Sequence, residues 1–393
     1  MKIGVITFWQ ANDNYGQLLQ AWALQQYLCA KGHEAFIIRY DFKNREIVQS
    51  RNLMRKMLKI LLIYPIILHI KSKIEAKKNA KIALKLEGKN SLRNFEEFRK
   101  TNLAFSSKVY HSLKELQADS PIADMYIVGS DQVWSLSPTV KENEVFYLNF
   151  GSTVCKRISY AASFGKDRIS KSEKMALKNN LKRFDAISVR EKSGVKICED
   201  IGYKAIHVID PTLLIGSKYY SRWCAFKKYS SHYIYIYSLN IDSAKDIYYS
   251  EILNYSIENN FKIVVTPASG RTLGRELFGQ EVIYDYATIE EWVSNIYNSD
   301  LVVTTSFHGI AFCLALHVPF VYVPLKGKGS SMNSRIIDLL KAVNLESRIQ
   351  ESSNEFEKIV YKKIDWSIVD LCLSNFRCSS SNFLDNELNH NRK

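Results

Sequence analysis

The clearest candidate for chemistry is a histidine at the point where an apolar strand gives way to an apolar helix. In LVVTTSFHGIAFCLAL (301–316), hydroxyl side chains at 304–306 end the strand, and His308 with Gly309 opens the helix. An imidazole beside hydroxyls at a helix N-terminus can transfer a proton or contact an anion. A lone histidine is usually structural, and His317 has no such setting. The carboxyl end of a strand, and a glycine that admits close backbone approach, favour a functional His308.

Four basic side chains are candidates for holding an anionic ligand. Arg190 directly follows the apolar strand DAISV, and the loop PLKGKGSSMNSR (324–335) carries Lys326, Lys328 and Arg335. Guanidinium and ammonium groups that converge on one cleft bind a doubly anionic molecule through charge-assisted, bidentate hydrogen bonds. Most Lys and Arg residues are solvated surface charges. This alternative is weakest for Arg190, because it directly follows an apolar strand.

A second polar cluster ends the apolar strand in MYIVGSDQVW (125–134). The carboxyl edge of a sheet is where open α/β folds bind ligands. Asp131 is a candidate base or sugar ligand, and Ser130, Gln132 and Trp134 are candidate contacts of a sugar acceptor. The alternative is a turn in which Asp131 caps the next helix and Trp134 packs internally.

The segment NDNYGQLLQ (12–20) lies between a strand and a helix. Exposed N–H groups and the helix dipole attract anions at such a point, so Asn14 and Gly16 are candidates for a phosphate or carboxylate cradle. With one glycine the segment is neither a GxGxxG nor a Walker loop. On its own, such a turn favours the alternative of an ordinary helix cap made by Asn12, Asp13 or Asn14.

Composition describes a globular protein large enough for two domains. The chain has 393 residues, 46% hydrophobic and 12% aromatic, which is ample apolar surface to bury. Its seven cysteines form no CxxC pair and no zinc-spaced cluster, so neither a metal site nor a disulfide framework is predicted. MKIGVITFW enters a strand-like segment directly and does not have the pattern of an export signal. We therefore expect a cytoplasmic protein.

Strand and helix patterns alternate along the chain, which predicts an α/β fold with two parallel-sheet domains. The opening is a βαβ unit with a strand at 2–7, a helix at 14–32 and a strand at 34–40. Further strands are predicted at 124–130, 145–150, 157–163, 185–191, 232–239, 261–267, 281–286, 301–306 and 319–325. Further helices are predicted near 170–182, 243–259, 288–299 and 308–316.

The predicted domains are 1–214 and 215–365. A helical insertion at about 45–100 interrupts the alternation in the first domain. The Ser/Asn-rich segment 366–393 is predicted to be a tail with a loose end.

The insertion carries most of the net positive charge. The chain has 54 Lys and Arg against 40 Asp and Glu, a net charge of +14, and residues 43–100 hold sixteen basic residues against five glutamates. The apolar run ILLIYPIILHI (60–70) is too short to span a bilayer but suits its interface. We expect the insertion to hold the protein on the inner face of an anionic membrane. The alternative is a basic hairpin packed on the first domain. No nucleic acid partner is expected, since stacking platforms and nucleic-acid motifs are missing.

Six segments taken together resemble the polysaccharide pyruvyl transferase family. In chain order they are NYGQLLQAWALQQYL, YIVGSDQVW, ISVREKSG, DPTLL, TTSFHGIAFCLALHVPFVYV and NSRIIDLL. The resemblance runs from about residue 1 to 345, and its specificity lies in the order and spacing of the segments. The basic insertion and the chain after residue 345 match no motif of the family.

The resemblance implies a fold similar to GT-B glycosyltransferases, with two Rossmann-like domains facing across a cleft and neither a catalytic metal nor a cofactor. It implies transfer of pyruvate from the co-substrate phosphoenolpyruvate to two hydroxyls of a sugar, free or in a lipid-linked oligosaccharide. The products are a ketal and phosphate.

The resemblance also implies a donor held by basic residues of both domains beside a histidine, which here are Arg190 and His308. Many members have an arginine where this chain has Ser306. We therefore expect Lys326, Lys328 or Arg335 to supply the missing charge.

The implied reaction needs a proton at the enol carbon, attack by one hydroxyl, and expulsion of phosphate as a second hydroxyl closes the ring. His308 is the candidate general acid or base, and Asp131 the candidate that activates the acceptor. The rival hypothesis is a GT-B-type glycosyltransferase with a nucleotide-sugar donor, because a fold does not determine its chemistry.

Overall fold

The computed structural model describes residues 1–41, 88–268 and 276–389, apart from the side chain of Lys328. The first domain contains five strands: β1 (Lys2–Ile6), β2 (Glu34–Tyr40), β3 (Phe105–Tyr110), β4 (Met125–Val128) and β5 (Lys156–Ser159). Its helices are α1 (Tyr15–Ala30), α2 (Phe95–Asn102), α3 (Leu113–Ala118) and α4 (Lys171–Leu181).

The five strands form one parallel sheet in the order β3-β2-β1-β4-β5. The central strands β1 and β4 are apolar and almost wholly buried, as expected for parallel strands covered on both faces. Beside this sheet, β6 (Ser188–Val189) pairs in parallel with β7 (Ile206–His207). The next helices along the chain are α5 (Lys192–Glu199), α6 (Pro211–Leu214) and α7 (Ser221–Cys224).

The second domain repeats the plan with strands β8 (Tyr233–Tyr237), β9 (Lys262–Val265), β10 (Ile283–Tyr284), β11 (Leu301–Thr304) and β12 (Phe320–Tyr322). These strands are also parallel, in the order β10-β9-β8-β11-β12. The helices are α8 (Tyr249–Glu258), α9 (Ile289–Tyr297), α10 (Phe307–Leu316), α11 (Ser334–Ala342), α12 (Phe356–Tyr361) and α13 (Trp366–Asn389).

A continuous apolar cluster joins the two domains. Tyr15 at the start of α1 stacks on Trp292 of α9 at 5.2 Å between ring centroids. Its hydroxyl also donates a hydrogen bond of 2.6 Å to the carbonyl of Ala287. The N-terminus of α1 is therefore fixed against the second domain by its own side chain.

Two features of the first domain differ from the sequence prediction. Residues 145–150 were predicted as a strand, but Lys141–Tyr147 is a 3₁₀ helix whose Val145 and Phe146 face the core. A short apolar run does not by its pattern distinguish a strand from a buried turn of helix. The edge strand β3 was not predicted, because FSSKVY has too many polar residues to show an apolar strand pattern.

The predicted insertion extends too far towards the C-terminus. Residues 42–87 lie outside the described residues, but the chain from 88 to 100 is part of the fold. Arg93 is fully buried and donates hydrogen bonds to the Tyr15 hydroxyl and the Pro267 carbonyl. Arg99 donates to the Ala11 carbonyl at 2.6 Å. These two arginines are internal contacts of the fold and not part of a solvated basic surface.

The segment 366–393, predicted as a tail with a loose end, forms the packed helix α13 over Trp366–Asn389, and the end of the chain at 390–393 lies outside the described residues. Leu373 and Leu384 of this helix are fully buried, and the helix returns to the first domain. There Asp385 accepts hydrogen bonds from Lys31 at 2.6 Å and Tyr27 at 2.8 Å. The Ser/Asn-rich composition concealed a helical apolar pattern.

The α/β prediction with two Rossmann-like domains is confirmed. The division at residue 214 stays a prediction, because the shared core and α13 connect both domains. None of the helices in the described ranges combines the length and the apolar character needed to cross a bilayer.

Candidate active site between the two sheets

The two sheets reverse their strand order at opposite walls of one cavity. In the first sheet the reversal lies between β1 and β4, whose following loops carry Asn14 and Asp131. In the second it lies between β8 and β11, whose following loops carry Asn240 and Thr305. All four residues line a cavity of about 180 Å³. Open α/β sheets bind their ligands at such points, and here two of them face each other.

Two helix N-termini point into the same cavity. The Asn14 side chain caps α1 by accepting a hydrogen bond of 3.2 Å from the Gln17 amide. The Ser306 hydroxyl caps α10 by accepting one of 3.3 Å from the Gly309 amide. Both capping residues line the cavity. Their helix dipoles favour negative charge inside it.

His308 is held where the two helices meet. Its ring is only 8% exposed and packs against Gly16 of the first domain. A Cβ atom at Gly16 would fall within the imidazole, so this position admits only glycine while His308 occupies the site. The structure thereby brings Asn14, Gly16 and His308 together, as the sequence analysis expected for a shared site.

A buried carboxylate, Asp210, lies at the centre of the site and was not predicted. It is 1% exposed, and its Oδ2 lies 2.9 Å from Nη1 of Arg190 and 3.7 Å from Nε2 of His308. Its Oδ1 accepts hydrogen bonds from the backbone and hydroxyl of Thr212. Burial acts to raise the pKa of Asp210, but the His308 ring and the Arg190 charge hold this pKa well below its usual range.

Arg190 has hydrogen-bonding capacity to spare. Nη1 bonds Asp210 and, at 3.3 Å, the hydroxyl of Ser130. Nε and Nη2 are buried with no hydrogen-bond partner among the described residues, although Nη2 lies 3.9 Å from a carboxylate oxygen of Asp131. The guanidinium covers the ring of Phe307 at 4.5 Å. Buried donors are rarely left unpaired, so these N–H groups call for a ligand.

Arg335 supplies a second unsatisfied cation from the N-terminus of α11. It lines the cavity beside Phe307, and its Nε is buried with no hydrogen-bond partner in the described ranges. Burial, followed by the nearby charge of Arg190, lowers the pKa of Arg335 to about 10. Both guanidinium groups lie against the ring of Phe307, and an anion bound beside them would offset their mutual repulsion.

Asp131 has a left-handed backbone, with φ of +80°. Its carboxylate accepts a hydrogen bond of 2.8 Å from the amide of Gln132, and both residues line the cavity. Asn240 has φ of +60° on the opposite wall. Such backbone strain is concentrated at functional sites in proteins, where the surrounding fold maintains it.

Three predicted residues do not line the cavity. Trp134 is fully buried, stacks on Tyr147 and donates to the Phe146 carbonyl, so its face is not open to a sugar. Ser130 is also fully buried, and its hydroxyl donates to Asp210 at 2.8 Å. Lys326 is exposed and bonds the Tyr248 hydroxyl at 2.8 Å, outside the cavity. The side chain of Lys328 lies outside the described residues.

One signal for Asp210 was present in the sequence. The motif DPTLL (210–214) belongs to the family resemblance, but an Asp-Pro pair is also a common turn. The partners of Asp210 are more than twelve residues away along the chain, apart from Thr212, and only the fold assembles them.

Solved structures with the same fold have very different sequences. UDP-N-acetylglucosamine 2-epimerase from Rickettsia bellii superimposes with a TM-score of 0.57 at 8% identity, covering 99% of this chain and 96% of that one. S. aureus MnaA with UDP gives a TM-score of 0.52 at 10% identity, covering 99% and 97%. At these identities the likeness shows the fold alone, which is that of GT-B enzymes and related epimerases.

No curated protein sequence matches the chain. The sequence model of the family named Polysaccharide pyruvyl transferase matches residues 14–327. This range includes the helix N-termini, Asp131, Arg190, Asp210 and His308. With that match, the chain belongs to the polysaccharide pyruvyl transferase family and is a transferase.

Proposed function

We propose that this enzyme moves pyruvate from phosphoenolpyruvate onto two hydroxyls of one sugar in a surface polysaccharide or its lipid-linked precursor. The observation that carries the proposal is a set of buried nitrogen atoms without hydrogen-bond partners among the described residues, on Arg335 and His308 of the cavity wall and on Arg190 behind the wall residues Asp131 and Phe307. A small molecule with a phosphate and a carboxylate supplies acceptors for several of them at once.

The cations come from both domains, and they offset the negative charge of phosphoenolpyruvate. Arg190 follows β6 of the first domain, and Arg335 begins α11 of the second. Two helix N-termini add partial positive charge. Arg335, together with Arg190, supplies the charge that Ser306 does not, whereas Lys326 is outside the cavity.

The reaction then proceeds in two steps. A proton adds to the methylene carbon of phosphoenolpyruvate, and one sugar hydroxyl attacks the adjacent carbon and loses its proton. The second hydroxyl attacks the same carbon, the bond to the phosphate oxygen breaks, and phosphate leaves with the electron pair. One proton remains in the new methyl group and the other leaves with phosphate.

His308 is the general acid or base in this proposal. Its Nε2 is buried without a hydrogen-bond partner among the described residues, 3.7 Å from Asp210. Asp210 orients the ring and balances the charge that the ring acquires with a proton. In the same proposal Asp131, which lines the cavity beside Gln132, accepts a proton from the sugar.

We also propose that the enzyme works in the cytoplasm on the inner face of the membrane, where lipid-linked acceptors are assembled. The support is the charge and the apolar run of the segment 45–100, most of which lies outside the described residues. Arg93 and Arg99 are buried, so neither contributes to a basic surface that could bind the membrane.

The experiment is incubation of the purified enzyme with phosphoenolpyruvate and a panel of free and lipid-linked oligosaccharides. We expect phosphate release together with a product whose mass matches a pyruvate ketal. A parallel reaction with isotope-labelled UDP-sugars tests the glycosyltransferase alternative. Transfer of label from a UDP-sugar, with no phosphate released from phosphoenolpyruvate, would reject the proposal.

A further inference from the structure

A second cavity lies on the other side of the loop between β1 and α1. It has a volume of about 170 Å³ and is lined by Thr7, Phe8, Trp9, Gln10, Ala11, Gln17, Tyr40 and Phe146. Aromatic and amide side chains form most of this wall, and none of its residues is charged. The first cavity, in contrast, contains Asp131, His308 and Arg335.

The two cavities share the first turn of α1. Asn14 lines the first cavity, which contains the charged residues, and Gln17 lines the second, uncharged cavity. Residues three apart on a helix have Cβ atoms about 5–6 Å apart. The walls of the two cavities therefore meet at the start of α1.

The polar groups of this wall suit hydroxyls. The Gln17 carboxamide makes no hydrogen bond within the described part of the chain, so it can both donate to and accept from a ligand. Trp9 is half-buried and fixed, because its Nε1 donates to the Tyr40 carbonyl at 3.2 Å and its ring packs edge-on against Phe105 at 5.3 Å. A fixed aromatic surface beside a free amide is the usual composition of a small-molecule pocket.

We infer that this cavity binds the pyranose ring of the acceptor sugar, with Trp9 against its apolar face and Gln17 bonded to its hydroxyls. The inference rests on the proposed function, and it replaces Ser130 and Trp134, whose burial removes them as sugar contacts. An uncharged wall selects a neutral ring, while the cations next to it select the donor. The sugar hydroxyls then face the donor across Asn14.

The test titrates the enzyme with methyl glycosides of galactose, glucose, mannose and N-acetylglucosamine while tryptophan fluorescence is recorded. We expect at least one glycoside to change the emission of the wild type and to leave that of Trp9→Phe unchanged. If every glycoside that changes the wild-type emission changes the Trp9→Phe emission equally, or if none acts on the wild type, the inference is wrong.

A pair of glutamine variants on α1 provides the matched comparison. Gln17→Ala is expected to bind the glycoside about 3- to 10-fold more weakly, the effect of one lost hydrogen bond. Gln26→Ala, on the same helix but outside both cavities, is expected to bind like the wild type. Ala11→Leu, which fills the cavity without removing a polar group, is expected to block the glycoside. Normal glycoside affinity in both Gln17→Ala and Ala11→Leu overturns the inference.

Calorimetry with phosphoenolpyruvate separates this inference from the proposed function. We expect Gln17→Ala, Gln26→Ala and Ala11→Leu to bind phosphoenolpyruvate like the wild type. A wild type that binds a glycoside through Trp9 but not phosphoenolpyruvate leaves the sugar site standing and removes the proposed donor. The reverse result removes the sugar site alone.

Discussion

His308 is positioned from both domains. Gly16 of the first domain leaves the space that its ring fills, and Asp210, from the segment between the two sheets, lies beside its Nε2. A ring that depends on both domains is correctly placed only when the two domains are assembled. Any chemistry of this ring therefore depends on contacts with both domains.

Replacement of this ring is the direct test of its role. His308→Ala is expected to lower kcat by about 10²–10⁴-fold while phosphoenolpyruvate affinity stays within a few-fold, because proton transfer is lost and the cations remain. Steady-state kinetics and calorimetry measure the two effects. His317→Ala is the control, since that ring stacks on Trp366 at the surface. Equal kcat in wild type and His308→Ala would remove the residue from catalysis.

Asp210 is expected to make stability depend on pH in the acid range. The unfolded carboxyl has a pKa of about 3.9, and the folded one is held well below this value. Its contribution is therefore complete above pH 4 and is lost as the pH falls further.

Asp210→Asn leaves the buried Arg190 unneutralised and is expected to cost about 3–5 kcal/mol at pH 7. Denaturant unfolding at several pH values measures the gap between wild type and variant, which should narrow below about pH 4. Asp200→Asn, at an exposed ion pair with Lys174, should show little change. A gap that is the same at neutral and acid pH would contradict this account of Asp210.

Arg335 is expected to exchange stability for donor binding. Its pKa is lowered to about 10, so the charged side chain is less stable in the fold than in the unfolded chain. Removal of the charge is therefore expected to stabilise the protein in the absence of donor. Arg335→Met is expected to raise Tm by roughly 2 °C and to weaken phosphoenolpyruvate binding about 10- to 100-fold. Thermal unfolding and calorimetry measure these changes, with the exposed Arg168→Met as control. A variant that is less stable yet binds normally would show Arg335 to be structural.

The candidate residues that could be predicted from sequence are those at strand ends. Arg190, Asp131 and His308 each lie within four residues of the end of an apolar strand, and parallel strands bring such positions to one edge of their sheet. Asp210 could not be found in this way, because its importance comes from contacts across the fold. Trp134 was misassigned because an aromatic residue beside a polar loop has the same pattern whether it faces ligand or core.

At the scale of elements, the central strands and the helices that flank the site were predictable, since their apolar patterns are strong. The prediction of β2 at 34–40 agrees with Glu34–Tyr40, and that of the first helix includes Tyr15–Ala30. The edge strand β3 and helix α13 were missed, because polar residues on their open faces dilute the pattern.

Helix α13 offers a matched test of packing within one element. Leu384 is fully buried, whereas Leu371 is 63% exposed. Leu384→Ala is expected to lower the free energy of unfolding by about 2–5 kcal/mol, and Leu371→Ala to change it by less than about 0.5 kcal/mol. Chemical denaturation measures both. If the two variants are equally stable, α13 does not contribute to the core as described.

At the scale of the molecule, the charge of 43–87 lies on a segment outside the described residues, while both ends of that segment join the first domain. Asp41 precedes it, and Lys89 beyond it forms an ion pair with Glu276 of the second domain. The chain that follows the segment therefore contacts the second domain as well as the first.

Vesicle co-sedimentation tests membrane binding. Each basic residue near an anionic surface contributes about 1 kcal/mol, so we expect binding to anionic vesicles, not to zwitterionic ones, and weakening by salt. Charge reversal at Arg55, Lys56, Lys59, Lys71 and Lys73 should abolish it. Wild-type protein that stays in the supernatant with anionic vesicles at low salt would show that the segment has another role.

The return of α13 to the first domain also has a consequence for synthesis. Tyr27 and Lys31, which contact Asp385, are made before the second domain, whereas Asp385 is made after it. The first domain therefore leaves the ribosome with part of its apolar surface uncovered, and contacts between such distant residues form late. A chain cut short before α13 would expose that surface to chaperones and proteases, so truncation far from the cleft is expected to remove the enzyme from the cell.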